Sequence, residues 1–304
     1  MSVYLDGNET RMLQVMPESR VSHQFAKYPG RHKLGSRTCC LQPLFMALAW
    51  LVAAVLGSAV ILGSPHKATA QTRSSASSNS RDIAIVVGFM GGHVNSHDLR
   101  REEVRLARQL QETYSDSVHV EIFENRAKAK AHKFIRYWLE NARKADISSE
   151  DNQNIPIILF GHSWGASTAI SLARDLQQEG VPVMLTIQVD SVSKDGEDDS
   201  LIPGNVAEAI NFYQSRGILH GCSEIKPLDP ARTKVLGNVQ MRYQREPEEC
   251  RPYPWYNRLL FKGHIAIECD PRLWAHIEAL IRMHLPLNAA SDADQGRRTE
   301  RAPG

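Results

Sequence analysis

The residues with the clearest chemical meaning are Gly161-His162-Ser163-Trp164-Gly165, set between the apolar run 155–160 and a small-residue stretch with helical spacing. A strand that enters a sharp turn at a serine and leaves it as a helix presents the hydroxyl outward. Glycines two residues to either side are required because side chains there would meet neighbouring backbone. The same turn aims a helix N-terminus at the hydroxyl, so the Trp164 N–H is placed to meet a developing oxyanion. Serine is a weak nucleophile at neutral pH and needs a base within hydrogen-bond reach. The chemistry implied is acyl transfer through a covalent serine intermediate.

The elements that must hold this turn alternate along the chain. Short apolar runs and helical patterns succeed one another through about residues 82–287, the signature of a parallel sheet covered on both faces. The pattern predicts strands at 83–88, 118–123, 155–160, 183–189 and 235–243. Helices are predicted at 97–113, at 126–145 with Phe134, Ile135, Trp138 and Leu139 grouped, and at 164–178 with Gly180 ending the last of these. A further helix is expected to open at 203–205 and reach Gln214, and a final one to start at Asp270-Pro271. No internal repeat is evident.

With the serine turn in this strand-turn-helix setting, residues 83–285 resemble the α/β-hydrolase superfamily, esterases and lipases among them. The resemblance implies a compact three-layer α/β sandwich with a mostly parallel central sheet and no large cap. It also implies the chain order serine, acid, histidine. That order leaves His264, expected in a loop before the last helix, as the base, with His220 as rival. His162 is expected to pack against the strand, and His276 and His284 to lie on the periphery of the terminal helix. Asp190, ending the strand LTIQVD, looks like the acid of secreted lipases of the pancreatic type, which carry it directly after the strand following the serine turn. Glu246, Glu248 and Glu249 hold the more usual place of the acid, and Asp195, Asp198 and Asp199 read as a solvated loop. The second oxyanion donor falls by resemblance on the backbone N–H of Phe89, with Met90 as neighbour, in the run Gly88-Phe89-Met90-Gly91-Gly92. Phe89, Met90 and Trp164 would also give the pocket apolar walls, with substrate selection expected in segments 193–204 and 216–233.

The flanks bear on where this chemistry takes place. Residues 44–63 carry no charge over a length that spans about 30 Å as a helix, enough for a bilayer. Basic residues Lys27, Arg31, Lys33 and Arg37 precede them, which favours a cytoplasmic tail at 1–43 and export of the chain beyond residue 63. Ala68-Thr69-Ala70 offers a signal-peptidase site, so residues 44–63 read either as a signal anchor or as a signal removed after Ala70. A Ser-rich linker at 64–81 and a polar tail at 288–304 bound the catalytic unit 82–287. In the exported part, Cys222, Cys250 and Cys269 suggest one disulfide and one buried thiol; a zinc site from Cys250, His264 and Cys269 lacks the paired short spacings of metal motifs.

With 36 basic and 34 acidic residues interspersed along 304, a nucleic-acid surface is not expected. No P-loop, HExxH or dinucleotide fingerprint occurs, so neither cofactor nor metal is called for. The sequence therefore predicts a hydrolase of small-molecule carboxylic esters acting through Ser163, Asp190 and His264. Acyl thioester hydrolysis, or an inactive membrane-tethered binding module on the same fold, are the alternatives.

Overall fold

A computed structural model describes residues 2–6, 83–114, 117–144, 155–194 and 196–286. The segment 44–63 and both linker and tail lie outside them. Among the described residues no helix is long and apolar enough to cross a membrane.

The central sheet is built from β1 (Ser2–Asp6), β2 (Ala84–Met90), β3 (Val118–Glu124), β4 (Ile157–His162), β5 (Val183–Val189), β7 (Val206–Tyr213) and β9 (Lys234–Arg242). Its order is β1-β9-β7-β5-β4-β2-β3, and every neighbouring pair is parallel. Two short strands, β6 (Leu201–Ile202) and β8 (Lys226–Pro227), pair separately. Parallel strands covered on both faces need apolar side chains on both, and β2 and β4 are buried throughout.

The period of two along each strand sorts these side chains into two cores. Ala84, Val86 and Met90 pack with α1 (Glu102–Thr113) and α6 (Pro271–Met283), through Leu106, Leu110, Trp274 and Ile277. Ile85, Val87 and Phe89 pack with α2 (Lys128–Lys144) and α3 (Trp164–Gln178), through Ile135, Leu139, Ile170 and Leu176. The result is the expected three-layer sandwich, with the serine turn following a central strand. The cap read at Asp270-Pro271 is formed: the Asp270 carboxylate accepts from the Arg272 N–H. Gly180 takes the positive φ, 70°, of a residue ending a helix.

One element differs in kind. The stretch expected as a helix from 203–205 to Gln214 is the strand β7, held between β5 and β9. Its alanines and glutamate favour a helix weakly, but a place between two strands supplies ladder partners on both sides and decides the matter. The helix expected from 97 starts only at Glu102, because the chain after β2 spends residues 91–101 passing the site. His264, expected in a loop, lies in a short helix, α5 (Lys262–Glu268), preceded by α4 (Trp255–Leu260).

Candidate active site

Ser163 sits at the junction of β4 and α3 with φ 56° and ψ −126°, a left-handed backbone that costs a non-glycine residue about 1–3 kcal/mol. The reason for its glycines is measurable. A Cβ on Gly161 would stand 2.5 Å from the Gly165 carbonyl carbon, and one on Gly165 would run into the Phe89 carbonyl. The turn is pinned by the Ser163 N–H, which donates to the Val189 carbonyl at 2.9 Å. Strain is thus held by the strand next door.

That same neighbouring strand delivers the candidate acid. Asp190, at the end of β5, also has positive φ, 43°, and is fully buried. Its Oδ2 lies 2.6 Å from His264 Nδ1 and accepts from Gln214 Nε2 at 2.8 Å. Its Oδ1 accepts from the Gly221 N–H at 2.8 Å and from the Gln214 N–H at 3.3 Å. A carboxylate so surrounded stays fixed, and it sets the imidazole with Nδ1 protonated and Nε2 available. Gln214 and Gly221 are not readable from the sequence; nothing local marks them.

Ser163, Trp164 and His264 line one cavity of about 420 Å³. Of the other acid candidates, Glu246 is paired with Arg258 at 2.6 Å and Glu248 and Glu249 are exposed. Asp199, expected to be solvated, is buried and accepts from the hydroxyls of Ser191 and Ser193, so it braces the loop after Asp190. His220, the rival base, is exposed and its Nδ1 approaches only the Gly221 carbonyl.

The run 88–92 is strand as far as Met90 and turns only after it. Phe89 and Met90 are the last residues of β2, fully buried in opposite cores, and do not line the cavity. The strand runs on two residues further than its sequence suggests, so Gly91, Gly92, His93 and Val94 form the wall instead. A Cβ on Gly91 would stand 3.1 Å from that of Ser163 and 2.9 Å from His162 Nδ1, which puts this backbone beside the serine. The remaining wall comes from Val192 and Leu219, beside and within the two predicted insertions, and, unexpectedly, from Pro254, Tyr256, Asn257 and Phe261 around α4.

Cysteines support this wall rather than a metal. Cys250 and Cys269 are joined in a disulfide, so the Cys250, His264, Cys269 arrangement is not a zinc site. Cys222 is disulfide-bonded as well, not a buried thiol.

Behind His264 lies a buried group of charges. The rings of His162 and His264 are 4.5 Å apart, and His162 Nδ1 is 3.7 Å from Glu103 and 3.8 Å from Glu268. Arg101 pairs with the other oxygen of Glu268 at 2.6 Å and lies 4.3 Å over the Tyr253 ring. Burial, reinforced by Glu268, pushes the Glu103 carboxyl well up, and burial likewise raises Glu268. Burial, then the neighbouring His264, holds the His162 imidazole well below its usual value.

No protein-family model and no curated protein matches this chain. Among solved structures, it is similar to RedJ, a thioesterase from the prodiginine biosynthetic pathway in Streptomyces coelicolor, at 13% identity over 69% of this chain and 96% of that one, TM-score 0.34. An arylesterase is similar at 13% identity over 82% and 91%, TM-score 0.36. An esterase from the archaeon Pyrobaculum calidifontis is similar at 13% over 66% and 78%, TM-score 0.32. Identities this low say nothing of chemistry, which is read from the site itself. Sheet order and the strained serine turn between a central strand and a helix fit an α/β-hydrolase fold.

Proposed function

We propose that this domain hydrolyses carboxylic esters through an acyl-enzyme on Ser163, with His264 as base and Asp190 as its orienting acid. The observation that carries the reading is the 2.6 Å contact of His264 Nδ1 with a buried Asp190, on the cavity wall that also carries Ser163. His264 Nε2 takes the serine proton as Oγ attacks the ester carbonyl carbon, and Asp190 stabilises the imidazolium so formed. Backbone N–H groups of Trp164 and of the Gly91-Gly92 turn hold the oxyanion. The imidazolium then protonates the departing alkoxide; a water deprotonated by His264 attacks the acyl carbon, and the proton passes to Ser163 Oγ as the carboxylic acid leaves. Trp164, Val192 and Phe261 give the cavity apolar walls, which suit an acyl or alkyl group.

A fluorophosphonate probe should label the purified protein, and Ser163→Ala should abolish both labelling and the cleavage of p-nitrophenyl esters. A folded protein that never labels would instead be a binding module. Labelling together with cleavage of acyl-CoA but of no oxygen ester would make thioesters the substrate.

We also infer that the domain works beyond a membrane, anchored by residues 44–63 or released by cleavage after Ala70. The disulfide between Cys250 and Cys269 supports this placement, since such bonds persist in oxidising compartments.

A further inference from the structure

We propose that Glu103, His162 and Glu268 form a divalent-cation site, of the zinc type, directly behind the catalytic histidine. Their donor atoms lie within 4.8 Å of one another, and all three residues are buried. Both carboxylate oxygens of Glu103 and both ring nitrogens of His162 are shut from solvent and make no hydrogen bond of ordinary length and angle. Buried polar atoms without partners are unfavourable, so such a group signals something that completes it.

Spacing says what that is. The gaps of 3.7 and 3.8 Å from His162 Nδ1 to Glu103 and Glu268 are too long for hydrogen bonds. Two ligands each about 2.0–2.2 Å from a shared ion stand roughly 3.3–3.9 Å apart at open angles. Water bridging the same atoms would hold them further apart, at about 4.5 Å. Room is left beside Nδ1, where a Cβ on Gly91 would intrude at 2.9 Å.

Charge and donor type agree. Arg101 brings one positive charge to the two carboxyl groups of Glu103 and Glu268, so a divalent ion would balance both in their ionised, ligating form. A nitrogen among the oxygens favours zinc over magnesium or calcium, which prefer oxygen alone. Arg101 occupies only Oε1 of Glu268, leaving Oε2 turned toward His162. His162 and Glu268 line the cavity, so the site can be reached from it.

An ion here would tie together three elements. His162 precedes the nucleophile on β4, Glu268 lies one turn beyond His264 on α5, and Glu103 lies in the first turn of α1. It would act as a clamp that positions the base against the serine turn. That role rests on the hydrolase reading; the site does not.

The test uses the full chain, stripped with a chelator and titrated with zinc chloride while bound metal and melting temperature are followed. One equivalent should bind and raise Tm. Glu103→Gln should weaken binding at least a hundredfold, whereas His220→Ala, at an exposed histidine, should leave it unchanged. Zinc held equally by wild type and Glu103→Gln, or no stoichiometric binding by the wild type, overturns the site. If Glu103→Gln does not fold, X-ray absorption of the wild-type zinc form decides: a shell of oxygens with one imidazole supports the proposal, and sulfur or several imidazoles overturn it. Fluorophosphonate labelling is read separately. Zinc-binding protein that never labels keeps the site and removes the hydrolase, and labelled protein without zinc does the reverse.

Discussion

At the scale of single residues, Asp190 is held more elaborately than its contact with one imidazole requires. Gln214, almost wholly buried, gives Asp190 both a side-chain and a backbone N–H, and its Nε2 also reaches the Leu219 carbonyl at 3.0 Å. Gln214→Leu keeps the volume and removes the amide. The expected result is a ten- to hundredfold fall in kcat/KM, with a loss of stability of about 1.5–3 kcal/mol because a charged acceptor loses a donor. Unchanged turnover by the variant would show that Gly221 alone suffices. That Asp190 would meet His264, and His264 share a cavity with Ser163, was legible because a motif, a strand end and a chain order each narrow the choice. Gln214 was not, since no local pattern announces that a strand-end amide meets a carboxylate 24 positions earlier. Glu103 was hidden similarly: at the start of a helix it reads as an ordinary first-turn acid.

Among the elements, β7 shows where local signals stop. Nothing in VAEAINFY excludes a helix; only its place between β5 and β9 makes it a strand. The end of β2 is misleading in the same manner, because Gly88 looks like a stop although its lack of a side chain serves to seat the Phe160 ring. At the other edge, His119 on β3 stacks on Trp138 of α2, and burial pushes its pKa from 6.5 to about 4. The folded state thus prefers the neutral ring, while the unfolded chain takes up a proton below pH 6.5. The associated stability is whole above pH 6.5 and is lost as pH falls toward about 4. His119→Phe should therefore narrow the drop in melting temperature across that window, by an amount equivalent to about 1–3 kcal/mol. An identical drop in variant and wild type would show that the ring does not couple to protons.

On the scale of the whole molecule, strand order is what the sequence could not supply, and its least expected member is β1. Ser2–Asp6 runs along the outer edge of β9, in the stretch 1–43 expected to be a cytoplasmic tail. A chain that crossed a bilayer once at 44–63 would part this strand from the rest of the sheet, so the anchored form leaves β9 as the edge. Protease added to sealed cells should then remove a C-terminal tag and spare an N-terminal one. Protection of both tags would place the domain inside with β1 in the sheet, and refute export. The three layers, by contrast, were legible, because alternation of buried runs with amphipathic stretches admits few other arrangements.

Cys250 and Cys269 enclose the segment that carries α4, α5 and His264 itself. Closing a ring of this size stabilises a fold by about 3 kcal/mol. The bond also makes the stance of an imidazole depend on two sulfurs outside the acyl path. Under a thiol reductant the sheet would persist while the segment bearing His264 loosened, and catalysis would fade well before the protein melted.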